Sequence, residues 1–156
     1  MTHRHSGGTR AALGVALIVA LAGCHSGGHL VGNLAPHVDI TGSPVEGDSV
    51  NYVVDFHWNA WDDDGSITRS EYAVDIPSSF TPAQIADPAT PGIAWTSTTG
   101  THAELRFSVA GGPVPPPEEA GYRSERASAP HTFFVRSYDN AETPSAVAER
   151  SFNAWT

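Results

Sequence analysis

Two runs of alternating residues, at 50–59 and 71–76, constrain this chain more than any other feature. In VNYVVDFHWN, Val50, Tyr52, Val54, Phe56 and Trp58 share one parity, while Asn51, Asp55, His57 and Asn59 share the other, broken only by Val53. Period-two alternation of aromatic and β-branched residues is the signature of a strand with one buried face. Asp62-Asp63-Asp64-Gly65 then interrupts the run; Asp accepts turn geometry and Gly supplies a positive φ. Tyr72, Val74 and Ile76 next alternate with Glu71, Ala73 and Asp75. The pattern predicts a hairpin at the centre of an all-β domain.

The rest of the chain suits that class. Fifteen Gly and twelve Pro leave no long helical periodicity outside the N-terminus, which favours short strands joined by turns. Val38 and Ile40 suggest a first strand. Residues 93–99 suggest another, anchored by Trp95. Ala103, Leu105, Phe107 and Val109 alternate with Glu104, Arg106 and Ser108, a clean strand. TFFVRSY at 132–138 is the sixth, with Phe133 and Val135 on one face and Arg136 on the other. Residues 146–155 are the last, with Val147 and Phe152 on opposite parities across an expected bulge. Four prolines mark 77–92 as a loop, within which Thr81-Pro82 opens one helical turn. The Pro-rich connection 110–130 is longer than compact domains usually carry and reads as disordered. Seven strands at this spacing predict an antiparallel two-sheet sandwich.

The N-terminus reads as an address. Arg4 and Arg10 precede an apolar run, residues 11–21, that is too short for a membrane-spanning helix, which needs ~20 residues. Leu21-Ala22-Gly23-Cys24 follows and resembles a bacterial lipobox. That resemblance implies removal of residues 1–23, lipidation of Cys24, and a domain held at a membrane by acyl chains. By the same analogy, His25 rather than Asp favours the outer membrane. Residues 24–35, rich in Gly, form a flexible tether, and 36–156 form the sandwich. No further cysteine exists, so packing rather than an intrachain disulfide must stabilise the domain. No lysine is present; beyond the leader six arginines face seventeen carboxylates. Such a surface repels nucleic acid and attracts cations or a basic partner.

Trp58, Tyr72, Leu105 and FFVRSYDNAETPS (133–145) together resemble fibronectin type III-like or immunoglobulin-like domains of bacterial envelope lipoproteins, over about residues 36–155. Phe133 stands where that family usually has Tyr, and Ser70 where it often has another aromatic, which implies a looser core. In such a sandwich the second-to-third and sixth-to-seventh strand loops share a pole with the N-terminus. This would bring Asp62, Asp63 and Asp64 near Asp139, Asn140 and Glu142. Six oxygen-bearing side chains on flexible loops are what calcium accepts; a solvated Asp-Gly turn is the alternative. An EF-hand is excluded, since Ala60 occupies the first ligand position and strands flank the loop.

Trp61 and Tyr122 are candidate ligand contacts. The mature histidines form no i, i+4 pair on an expected helix, and no nucleophile elbow, phosphate loop or dinucleotide fingerprint occurs. The chain reads as a non-catalytic binding or structural module of the cell envelope, partnered by an envelope protein or a glycan. One alternative is a carbohydrate-binding module with Trp61, Trp95 or Tyr122 as stacking platforms. Another is an accessory or truncated piece of a larger surface protein or enzyme.

Overall fold

The computed structural model describes residues 32–42, 44–108 and 128–155. These form eight strands and one short helix: β1 (His37–Ile40), β2 (Ser49–Asn51), β3 (Val53–Trp61), β4 (Ile67–Val74), α1 (Pro82–Ala86), β5 (Thr96–Thr98), β6 (His102–Arg106), β7 (Ser128–Asp139) and β8 (Ala148–Trp155). They build two sheets, ordered β1-β3-β6 and β2-β8-β7-β4-β5. Every pairing is antiparallel except β2 with β8, which is parallel. The protein is an all-β sandwich.

The expected hairpin does not form. β3 pairs with β1 and β6, whereas β4 pairs with β5 and β7 in the other sheet. Alternation specifies which residues face a core but is blind to which strand lies alongside. Both strands here do bury one face, against each other's sheet. The long second strand of the sequence is likewise two strands. Tyr52 is the crossing point: its N–H donates to Trp155 O at 2.9 Å, and its carbonyl accepts Phe107 N–H at 2.9 Å. One residue thus bonds to both sheets, and its ring is buried between them.

The core fills the space between the sheets. Val54, Phe56 and Trp58 from β3 meet Phe133 and Val135 from β7 and Phe152 and Ala154 from β8. Phe56 lies at the middle, fully buried, with its ring 4.0 Å from Phe133 at 6° and edge-on to Phe107 and Phe152. The position of Ser70 is not loose. Trp58 Nε1 donates to Ser70 Oγ at 3.1 Å, and Ser70 Oγ shares a 2.8 Å hydrogen bond with Ser137 Oγ. A buried indole N–H needs an acceptor, and the hydroxyl supplies one where an aromatic ring could not.

Two other expectations are corrected. β7 begins at Ser128, so residues 128–130 belong to a strand rather than a loop, while 109–127 lie outside the described residues. The β7–β8 register runs unshifted from Ser128↔Trp155 to Val135↔Ala148; Val147 precedes the strand, and the bulge lies in β4, between Ile67 and Arg69. Arg136 lies on the face opposite Phe133 and Val135, as read, and is buried there, 2% exposed. The helical turn forms as read, with Thr81 and Gln84 closing a capping box and Pro82 at its start.

Arg136 is buried because the connection between β4 and β5 folds over the outer face of the five-stranded sheet. Trp95 stacks on its guanidinium at 4.1 Å. Glu71 Oε2 accepts from Arg136 Nε at 3.0 Å, from Arg136 Nη2 at 2.8 Å and from the Tyr138 hydroxyl at 3.1 Å. Arg69 lies over the Tyr138 ring, 3.8 Å from its centre. Burial, more than any neighbouring charge, pushes the Tyr138 phenol above its ordinary range.

Candidate functional site

The acidic loops meet as expected. The β3–β4 turn, residues 62–66, lies against the β7–β8 turn, residues 140–147: Asn140 Oδ1 accepts Ser66 N–H at 3.0 Å. Gly65 has no positive φ; among the described glycines only Gly47 and Gly92 do. Gly65 matters for space instead, because a Cβ there would collide with Asp62 Oδ2 and Asn140 Oδ1.

The N-terminal segment joins this pole. Asn33 Nδ2 donates to Asp139 Oδ2 at 2.6 Å and to Thr143 Oγ1 at 2.9 Å, and Leu34 N–H donates to Asp64 Oδ2 at 3.1 Å. The tether expected through residue 35 is therefore docked from Asn33 onward. Asp139 itself is fully buried. Its Oδ1 accepts the N–H groups of Ala141 at 2.8 Å and Thr143 at 2.7 Å, which holds the turn in which Glu142 takes a φ of 61°. Burial alone would raise the Asp139 pKa; the hydrogen bonds from Asn33, Thr143 and Ala141 outweigh it and hold the carboxyl below its ordinary range.

The six calcium candidates share a pole without forming a cage. Asp139 spends both oxygens on the turn and on Asn33, and Glu142 is drawn off by an ion pair with Arg69. Asp64 accepts the Leu34 N–H, and Asn140 is held by Ser66. Asp63 is exposed. Among the described residues no three His, Cys, Asp or Glu side chains converge as metal ligands. Asp64 and Asp139 accept the N–H groups that fasten the chain's entry and the last turn.

A carboxylate with a lowered folded pKa contributes stability that is present above its unfolded pKa and lost as pH falls through the folded value. Asp139→Asn is therefore expected to lower the melting temperature most at neutral pH. The gap between variant and wild type should narrow as pH drops below about 4, the ordinary carboxylate range. Melting curves between pH 7 and pH 3 check this; parallel curves for the two proteins would refute the role of the ionised carboxylate.

The second candidate surface is the outer face of the three-stranded sheet. Along it run His37 and Asp39 from β1, Asp55, His57, Asn59 and Trp61 from β3, and His102, Glu104 and Arg106 from β6, all exposed. Trp61 is 39% exposed and stacks on His37, its cross-strand partner, at 5.1 Å. It lies on this face rather than on the acidic turn. Trp95, half-buried against Arg136, is unavailable as a flat stacking platform. Tyr122 and Cys24 lie outside the described residues.

Sequence reasoning placed His57 outward but missed its partner. His57 and His102 are directly opposite in the β3–β6 register, with rings 5.7 Å apart at 23°, and Asp55 is directly opposite Glu104. It also missed His131, buried with Nδ1 2.7 Å from Asp75 Oδ2 and Nε2 2.7 Å from Ser108 O. Parity made all these orientations readable; the pairings are between segments distant in sequence, and nothing local encodes them.

No family model matches the chain, and no curated protein matches it. Among solved structures it is similar to the fibronectin(III)-like modules of Clostridium thermocellum CbhA, at 16% identity and a TM-score of 0.43, covering 78% of this chain and 46% of that one. The chain thus spans less than half the length of that structure.

Proposed function

We propose that the protein is a non-catalytic binding or structural module, anchored in the bacterial envelope through a lipid on Cys24, whose working surface is the outer face of the three-stranded sheet. The asymmetry of the two outer faces carries this reading. The five-stranded sheet is covered where Trp95 lies over Arg136. The three-stranded sheet has no such cover among the described residues and presents Trp61, His37, His57 and His102 to solvent. Exposed rings among polar groups suit a glycan or an envelope protein, since aromatic side chains offer contact area at little conformational cost. The lipobox-like residues 21–24 support anchoring, and the docking of Asn33 and Leu34 supports a membrane-facing acidic pole.

Fractionation of a diderm bacterial host expressing the full chain tests the anchor. Wild type is expected in the outer-membrane fraction and Cys24→Ser in the soluble periplasmic fraction; a Cys24→Ser protein that stays membrane-bound would refute lipid anchoring. The soluble Cys24→Ser form then tests the surface. It should bind isolated envelopes, and His37→Ala/Trp61→Ala should abolish that binding without shifting the melt. Binding that survives the double substitution would place the working surface elsewhere.

A further inference from the structure

We infer that the exposed β3–β6 pair holds a binding site for a divalent transition-metal ion, with His57 and His102 as its imidazole ligands, Glu104 as a third ligand and Asp55 as the carboxylate that orients His57. The site goes beyond the binding role proposed above and depends on neither the lipid anchor nor the partner.

Backbone register comes first. Trp58 N–H donates to Thr101 O at 3.0 Å, and Phe107 N–H donates to Tyr52 O at 2.9 Å. These two bonds fix the hydrogen-bonded positions of the antiparallel ladder as 58/101 and 52/107. By alternation, His57/His102 and Asp55/Glu104 fall on non-hydrogen-bonded positions. At such positions the Cα atoms approach to about 4.5 Å and the side chains lie closest. Two histidines and two carboxylates therefore occupy the corners of one small patch on one face.

The side-chain chemistry follows. Asp55 Oδ2 lies 3.0 Å from His57 Nε2, so a neutral His57 whose Nε2–H donates a hydrogen bond to Asp55 keeps a lone pair on Nδ1. A carboxylate that holds the far nitrogen of an imidazole is the usual support of a histidine metal ligand. His102 makes no hydrogen bond to any described residue and stacks only on His57. Two nitrogens on a tetrahedral zinc ion sit ~3.3 Å apart, given bonds of about 2.0–2.1 Å. The near-parallel rings, 5.7 Å apart at their centres, reach that spacing by tipping their edges together. Both side chains are exposed, so rotation about their own χ angles suffices. The ion draws these side chains together, since they do not converge beforehand.

Charge favours the same occupant. Asp55 and Glu104 are like charges at directly opposed positions, a destabilising arrangement in a sheet. Glu104 makes no ion pair with any described residue, and neither does Arg106, the nearest cation along β6, which sits opposite Val53. A divalent cation between the carboxylates and the imidazoles relieves that repulsion. Two imidazoles select zinc, copper or nickel over calcium, which takes oxygen ligands.

The test is calorimetric titration of zinc chloride into untagged Cys24→Ser protein, which removes the thiol as a competing ligand. One zinc per chain is expected, with affinity weakened at least about tenfold by His57→Gln, by His102→Gln and by Asp55→Asn, and unchanged by His25→Gln/His29→Gln. Zinc should also shift the imidazole NMR signals of His57 and His102 and leave those of buried His131 in place. Calcium at the same concentration should produce neither effect. Absent zinc binding, binding indifferent to His57→Gln and His102→Gln, or binding lost only in the His25→Gln/His29→Gln protein would overturn the inference.

Discussion

Replacing Phe56 by alanine is expected to cost about 3–5 kcal/mol of folding stability, the range for emptying a fully buried aromatic position. Phe56 has no solvent exposure and touches the two sheets at once: its ring stacks on Phe133 and meets Phe107 and Phe152 edge-on. Three surrounding rings cannot collapse into the vacated space without leaving their own strands, so much of the cavity should persist. Phe56→Leu should lose markedly less, because it keeps most of the buried volume. Urea denaturation at neutral pH measures both. A loss below about 1 kcal/mol for Phe56→Ala, against the usual cost of such a cavity, would mean that the two sheets do not pack through this ring.

Glu71→Ala is expected to be nearly as costly, about 3–5 kcal/mol, for a different reason. Arg136 is 2% exposed at its side chain, and Glu71 Oε2 is the acceptor for both its Nε and Nη2. Removing the carboxylate leaves a buried guanidinium with only the Trp95 and Tyr138 rings, among the described residues, to answer its charge. It also strands the Tyr138 hydroxyl, whose partner is the same oxygen. Apolar replacement of both partners, Glu71→Leu with Arg136→Met, should recover most of the loss, since an ion pair this buried contributes little net stability over well-packed side chains. Chemical denaturation of the two singles and the double gives the coupling directly. Additive losses would show that Arg136 is held by Trp95 and hydration rather than by Glu71.

The sequence made faces legible and neighbours illegible. Parity assigned Tyr52, Val54, Phe56 and Trp58 to the interior, and all four are buried. The sandwich class followed from strand count and turn spacing, and the observed architecture has that form, with the second strand split in two. Partnership failed wherever it depended on long-range pairing. β3 and β4 read as a hairpin because a short acidic turn joins them, yet the turn carries the chain from one sheet to the other. Alternation puts Arg136 on the face away from Phe133 but knows nothing of the connection that folds back to place Trp95 over it. Ser70 read as a gap because its acceptor role is set by Trp58, twelve residues away on the facing sheet.

The same limit governed the candidate sites. The shared pole of the two acidic loops was inferable from the resemblance, and those loops do touch. What each carboxylate does there was not: Asp139 is consumed by Asn33, Ala141 and Thr143, groups that a sequence cannot bring to a common point. His57 and His102, forty-five positions apart, become neighbours only through the β3–β6 register. A one-residue slip would send His102 to the other face of the sheet.

That register is the claim on which the exposed face, its proposed binding role and the metal site all rest. Cross-strand Hα–Hα contacts measured by NMR test it most directly, because only non-hydrogen-bonded pairs bring those protons within close range. Strong contacts are expected for His57/His102 and Asp55/Glu104, with none between β3 and β4. Contacts linking residues 53–61 to residues 67–74 would restore the hairpin and contradict the face described here.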